Sequence, residues 1–242
     1  MNHEAINKIV CANGYGVGIT PNPFASQCKE WQRRHEQAAL RKLITDKIVS
    51  LFEPRFITPP ETSECIEALV TMTEARNVLE VGTCTGFTSL HILRALVGKP
   101  GAHLTSIDFR PAHDPAFFGQ EALKPYFTHL NGKTPECFAS LNTIYDFVFV
   151  DSDHSIEHTN KELDALMRLT RPGTVFLFHD CPEWDRPDVH TGTIFNLLHE
   201  KVDQGRLRGT VFPTADQLDC LEMWGPGYPQ QSNPHLGLFI RR

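Results

Sequence analysis

The sequence predicts an α/β protein built on a doubly wound, mostly parallel sheet. Three observations carry that prediction. Short apolar runs alternate along the chain with segments whose apolar residues recur at helical spacing. Several of those runs end in an acid, as in Val78-Leu79-Glu80, Ser106-Ile107-Asp108, Phe149-Val150-Asp151 and Phe178-His179-Asp180. Between the first run and the next helical segment lies the turn Gly82-Thr83-Cys84-Thr85-Gly86. A buried strand, a glycine turn and a helix start, in that order, hold a nucleotide-like ligand at the end of a parallel strand.

The elements follow in order. Asn13-Gly14-Tyr15-Gly16-Val17-Gly18 is glycine-rich, but Pro21 and Pro23 follow it and no helix starts there. An extended, lid-like arm suits this segment better than a phosphate loop. From Cys28 to Phe52 the pattern is helical, with Leu40, Leu43, Ile44, Ile48 and Leu51 on one face and Pro54 as the stop. Thr58-Pro59-Pro60-Glu61 reads as a helix start, with Thr58 as N-cap and Glu61 as its reciprocal partner. Ile66, Leu69 and Val70 form that helix's apolar face.

Strand Asn77 to Val81 and helix Phe87 to Leu96 flank the glycine turn. A second strand spans His103 to Asp108, a helix Phe117 to Tyr126, and a third strand Phe127 to Leu130 before the turn Asn131-Gly132. Tyr145 to Asp151 is the most β-prone run. Helix Ile156 to Leu169, closed by Arg171-Pro172-Gly173, leads to the strand Thr174 to Phe178. Thr193 to Val202 is helical, Val211 and Phe212 begin a short strand, and Leu236 to Ile240 is the last strand. Together these make a Rossmann-like, seven-stranded sheet whose last strand is antiparallel, with an N-terminal helical extension over residues 1–54 as lid or dimer contact.

Composition narrows the function. A chain of 242 residues with 40% hydrophobic residues suits one α/β domain with a sizeable core. A formal net charge of −6 argues against general binding to nucleic acid or an anionic membrane. The 7 cysteines are scattered, odd in number and form no C-x-x-C pair, which argues against a thiolate zinc site and a disulfide framework. No signal-peptide-like or membrane-length apolar run is visible, so the expected location is the cytoplasm.

The ligand follows from the strand ends. A dinucleotide turn wants a middle glycine that Gly82 to Gly86 lacks, and Glu80 would oppose a pyrophosphate. An amine-bearing ligand end suits Glu80, and a ribose diol suits Asp108, whose carboxylate accepts from both hydroxyls. An aminoacyl-nucleoside satisfies both, and S-adenosylmethionine is such a molecule.

At this point the sequence resembles a known family. Glu80-Val-Gly-Thr-Cys-Thr-Gly86 is similar to the first motif of class I S-adenosylmethionine-dependent methyltransferases. The stretch from Thr58 to Leu90 resembles catechol- and caffeoyl-CoA-type O-methyltransferases. Tyr145-Asp-Phe-Val-Phe-Val-Asp-Ser-Asp-His154-Ser and Thr174-Val-Phe-Leu-Phe-His-Asp180 resemble the branch with antibiotic-sugar methyltransferases and cephalosporin-hydroxylase-like proteins. The resemblance covers roughly residues 55 to 182 and the final strand, and implies that 55–242 is the methyltransferase domain. It implies cofactor contacts at Thr58, Glu80, Gly82, Thr83, Gly86 and Thr88 for the methionine end, Asp108 for the ribose, Thr134 near the adenine, and Asp151. It also implies a divalent-metal set at Asp151, His179 and Asp180, with His154 where the catechol type carries a lysine base.

Methyl transfer from a sulfonium to a hydroxyl asks the protein to align the reactants and remove a proton. His154 suits the base role, since an unperturbed imidazole titrates near about 6.5. Mg²⁺ or another divalent cation would lower the hydroxyl pKa and orient its oxygen. Bland alternatives stand beside these: Asp151 as a helix cap, Cys84 as a small turn residue, and metal-independent chemistry because His179 replaces a carboxylate. The rival functions are an N-methyltransferase of the same fold, a non-catalytic S-adenosylmethionine-binding protein, an NAD-dependent oxidoreductase and an RNA methyltransferase. The expected partners are a small-molecule acceptor, a phenol or natural-product sugar, and a second copy of the chain in a homodimer. Trp184, Trp224 and Tyr228 are candidates for lining the acceptor pocket.

Overall fold

In β1 (Asn77–Val81) every residue after Asn77 is buried, because the strand is central and covered on both faces. The computed structural model describes residues 39–50, 60–111, 114–181, 194–213 and 235–242. Helices α1 (Ala39–Ser50) and α2 (Pro60–Met72) precede β1. Then come α3 (Phe87–Leu96), β2 (His103–Asp108), α4 (Pro115–Phe118), β3 (Phe127–Asn131) and a 3₁₀ turn at Glu136–Ser140. β4 (Phe147–Val150), α5 (Ile156–Leu166), β5 (Val175–Phe178), α6 (Ile194–Asp203), β6 (Leu207–Pro213) and β7 (His235–Arg241) complete the described chain.

The sheet order is β3-β2-β1-β4-β5-β7-β6. β1 to β5 pair in parallel, and β7 lies between β5 and β6, antiparallel to both. Strand alternation sorts the core onto two faces. Val78, Phe147, Phe149, Val175 and Leu177 pack with α1, α2 and α3 on one side. Leu79, Val148, Val150, Phe176 and Phe178 pack with α5 and α6 on the other. The strand order reverses between β1 and β4. Their carboxyl ends therefore form the crevice where open α/β sheets bind ligands.

Some elements differ from the sequence reading. The helix expected over Phe117–Tyr126 is reduced to Pro115–Phe118. Asp114 caps it by accepting from the Phe117 amide at 2.9 Å, and Gly119 ends it. The helix from Ile156 ends at Leu166 rather than Leu169. β6 is longer than expected because it pairs with β7 from Leu207 to Pro213. The expected helix from Cys28 is described from Ala39 onward. The N-terminal arm, Thr58, Trp184, Trp224 and Tyr228 lie outside the described residues. Among the described residues, no helix is long and apolar enough to cross a membrane.

The helices behind the turn are cross-linked by polar groups. Arg94 of α3 donates to Glu67 of α2 from Nε at 2.9 Å, and its Nη1 reaches Thr45 of α1 at 3.5 Å. Lys47 of α1 pairs with Asp114 at 2.6 Å, which ties α1 to α4. Phe118 of α4 in turn lies against the glycine turn, 2.6 Å from where a Cβ on Gly86 would stand.

Candidate active site

The glycine turn is shaped by a close approach of two backbones. Gly82 has φ +99°, and a Cβ there would lie 1.9 Å from the Asp151 carbonyl oxygen. The Gly82 amide donates to Ile107 O at 2.8 Å, and the Asp151 amide donates to Val81 O at 2.7 Å. The chains leaving β1 and β4 are thus pressed together, and only glycine fits. Gly86, at φ +80°, is the N-cap of α3 and makes no side-chain cap bond. Asp108 holds the turn from the end of β2. Its Oδ2 accepts from the Thr83 amide at 3.0 Å and the Cys84 amide at 2.8 Å, and its Oδ1 accepts from the Arg110 amide at 2.9 Å. Phe109, beside it, is 60% exposed.

Glu80 lies beneath this turn, fully buried. Ser89 of α3 and Ser106 of β2 both donate to its Oε2, while Oε1 is buried without a partner. Burial pushes the carboxyl up to about 8, the two serine hydroxyls oppose that, and the Asp151 and Asp108 charges add to it. The folded protein therefore keeps a proton on Glu80 that the unfolded chain has lost, so stability falls as pH rises from about 4.5 to about 8 and then levels off. At pH 7 this costs on the order of 3 kcal/mol. Urea midpoints of wild type should fall more steeply across that window than those of Glu80→Gln. Parallel slopes would contradict the buried, protonated assignment.

A second cluster forms where β4 and β5 end. His154 Nδ1 is 3.3 Å from Asp180 Oδ2, and its Nε2 is 3.8 Å from Asp151 Oδ1. One donor atom from each of Asp151, His154 and Asp180 falls within 4.8 Å of the others. His179 sits between the carboxylates, with Nδ1 3.3 Å from Asp151 Oδ1 and 3.2 Å from Asp180 Oδ1. Burial would lower its pKa, but Asp180 and Asp151 raise it well above the ordinary value. His179 is outside the converging donor set of Asp151, His154 and Asp180. Asp180 has φ +50°, a rare backbone for a non-glycine residue, and this strain fits a residue held for its side chain. Asp151 does not cap α5, which starts after Ser155.

The wall beside this cluster is fixed by Glu162 of α5. Its buried carboxylate accepts from Ser152 Oγ at 2.7 Å and from Thr134 Oγ1, and it pairs with His158 Nε2 at 2.9 Å.

Comparison with known proteins decides the family. A family model described as a methyltransferase domain matches residues 79–181. The "Putative O-methyltransferase" of Mycobacterium sp. (strain JLS) is 30% identical over 170 residues, 66% of this chain and 76% of that protein. The chain belongs to the S-adenosylmethionine-dependent methyltransferases. The fold agrees with that membership. The O-methyltransferase from Bacillus cereus, solved in complex with SAH, superposes with a TM-score of 0.61 at 16% identity, covering 86% of this chain and 92% of that one. The O-methyltransferase TomG from Streptomyces achromogenes, solved with SAM, gives 0.61 at 15% identity, covering 100% and 99%.

The methyltransferase gathers most of the residues singled out from its sequence on one sheet edge. Gly82, Thr83, Gly86 and the buried Thr88 belong to the turn and the start of α3, and Asp108 adjoins them. Asp151, His154 and Asp180 form the neighbouring cluster. Thr134 is tied to Glu162 across the crevice wall. The reading of the sequence missed Ser89, Ser106, Phe109 and Glu162. Ser106 was detectable as a polar residue inside an apolar strand, opposite Glu80 in register. Glu162 was detectable as a glutamate on the inward face of α5.

Proposed function

We propose that this methyltransferase moves the methyl group of S-adenosylmethionine to a hydroxyl of a small acceptor, with His154 as the base. The observation that carries this reading is the convergence of Asp151, His154 and Asp180 next to Gly82. Asp180 at 3.3 Å favours the tautomer with the proton on Nδ1, leaving Nε2 to accept the acceptor's O–H proton. As that proton moves to His154, the oxygen attacks the methyl carbon in line and the sulfonium becomes a neutral thioether. The protein supplies alignment and proton removal. Its relatives named as O-methyltransferases support a hydroxyl rather than an amine.

In the same reading the cofactor lies over the turn. Asp108 keeps one lone pair, on Oδ1, beyond its three backbone partners for a ribose hydroxyl, and the exposed Phe109 ring and Thr134 face the adenine. Gly82, Thr83, Gly86, Thr88 and Thr58 serve the methionine end. Asp151 adjoins them across the Gly82 contact, and Glu80 acts from beneath.

A divalent cation is the second reading, because two carboxylates and an imidazole suit Mg²⁺, Mn²⁺ or Fe²⁺. Asp151, His154 and Asp180 would hold it, and the bound ion would lower the acceptor hydroxyl's pKa. The base reading is preferred because His179 already lies between the two carboxylates. Turnover of a catechol and hydroxylated-sugar panel should survive exhaustive chelation. Loss of turnover that Mg²⁺ or Mn²⁺ restores would replace the base reading with the metal one.

A further inference from the structure

Glu80 is unusual in its surroundings. Both donors that reach it, Ser89 and Ser106, bond the same oxygen, Oε2. The carboxyl proton therefore belongs on Oε1, the buried atom without a partner. The charged groups facing it are Asp108 at the end of β2 and Asp151 at the end of β4, both acidic, while α3 faces it with Ser89. A hydroxyl chain continues outward from it. Ser106 Oγ is 2.6 Å from Thr83 Oγ1, which is 3.4 Å from His129 Nδ1 on half-buried β3. Thr83 belongs to the glycine turn, so the chain runs directly under the proposed cofactor position.

We infer that Glu80 is a proton-linked charge sensor: binding of the sulfonium cofactor expels its proton, and binding of the thioether product does not. This rests on the cofactor site proposed above. The cofactor carries an ammonium, a carboxylate and a sulfonium, a net charge of +1, whereas the product is neutral overall. Only the cofactor brings enough positive charge to offset Asp108 and Asp151 and ionise the carboxyl between them. The proton leaves for solvent along the Ser106, Thr83 and His129 chain once the carboxyl turns its protonated oxygen towards Ser106 and the hydroxyls reverse. After transfer the sulfonium is gone, Glu80 takes a proton back from solvent, and the product loses a counter-ion that the cofactor had. Glu80 is thus a positioning residue that discriminates cofactor from product.

Calorimetric titration in buffers of low and high ionisation enthalpy tests this directly. At pH 7, wild type should release about one proton per S-adenosylmethionine bound, and its association constant should rise about tenfold from pH 6 to pH 7. S-adenosylhomocysteine should release almost none and change less than about twofold over the same range. Glu80→Gln should bind the cofactor without that release, while His129→Ala should keep the contrast, which separates the carboxyl from the nearby imidazole. The wild-type contrast stands alone if Glu80→Gln fails to fold. Equal release with both ligands, no release with the cofactor, or loss of the contrast in His129→Ala would overturn the inference. Absence of any binding heat would overturn the cofactor site itself, and the inference with it.

Discussion

Gly82→Ala should unfold the methyltransferase more readily than any other single methyl addition in the glycine turn. A Cβ at residue 82 would stand 1.9 Å from the Asp151 carbonyl oxygen and 2.6 Å from its carbon. Those atoms are backbone, so they cannot swing aside, and β1 and β4 would have to part. The left-handed backbone adds a penalty of about 1–2 kcal/mol, and forced overpacking a further 1–3 kcal/mol. Together these predict a loss of about 2–5 kcal/mol and a melting temperature lower by roughly 10 °C. Gly101→Ala is the control. It has φ +71° but nothing within 4 Å of a Cβ, so it should cost only the backbone penalty of about 1–2 kcal/mol. Equal losses in the two variants would show that the β1–β4 contact does not require a glycine.

His154→Ala should lower kcat by about 10²–10⁴-fold, the usual range for a positioned general base. His154 is partly exposed and its ring partners are Asp151 and Asp180, so its removal should leave the melting temperature and cofactor affinity close to wild type. That separation distinguishes a base from a structural residue. Asp180→Asn should give a smaller loss in kcat, because it keeps the side chain's shape but weakens the hold on Nδ1. Full turnover by His154→Ala on every hydroxylated acceptor would remove it from the mechanism.

Much of this architecture was legible in the sequence, for physical reasons. β1, β2, β4 and β5 are buried on both faces, so they read mainly as apolar runs, and β2, β4 and β5 lead into an acid at the sheet edge, while Glu80 of β1 is buried within its strand. β6 was harder because Arg208, Gly209 and Pro213 interrupt its pattern, and it pairs on one side with β7 alone. α4 was misplaced because Asp114 and Pro115 start it earlier than the phenylalanine pair suggests. In the site, the identities of the strand-end acids were readable, but their partners were not. That Glu80 meets Ser89 and Ser106 depends on register and on how α3 returns over the sheet. That Asp108 clamps the turn depends on the loop conformation, with Cys84 at φ +47°. The inward position of His179, between two carboxylates rather than among the converging donors, likewise needs three-dimensional placement.

The most direct test of the cofactor assignment is calorimetry of S-adenosylhomocysteine with wild type and with Asp108→Ala. Asp108 both closes the glycine turn and offers its remaining lone pair, on Oδ1, to the ribose. Losing charge-assisted bonds of about 1.5–3 kcal/mol predicts an affinity at least about tenfold weaker. Wild type should bind one product molecule per chain, and Asp108→Ala should bind it weakly or not at all while remaining folded. Undiminished binding by Asp108→Ala, or no binding by wild type, would contradict the placement of the cofactor on this edge of the sheet.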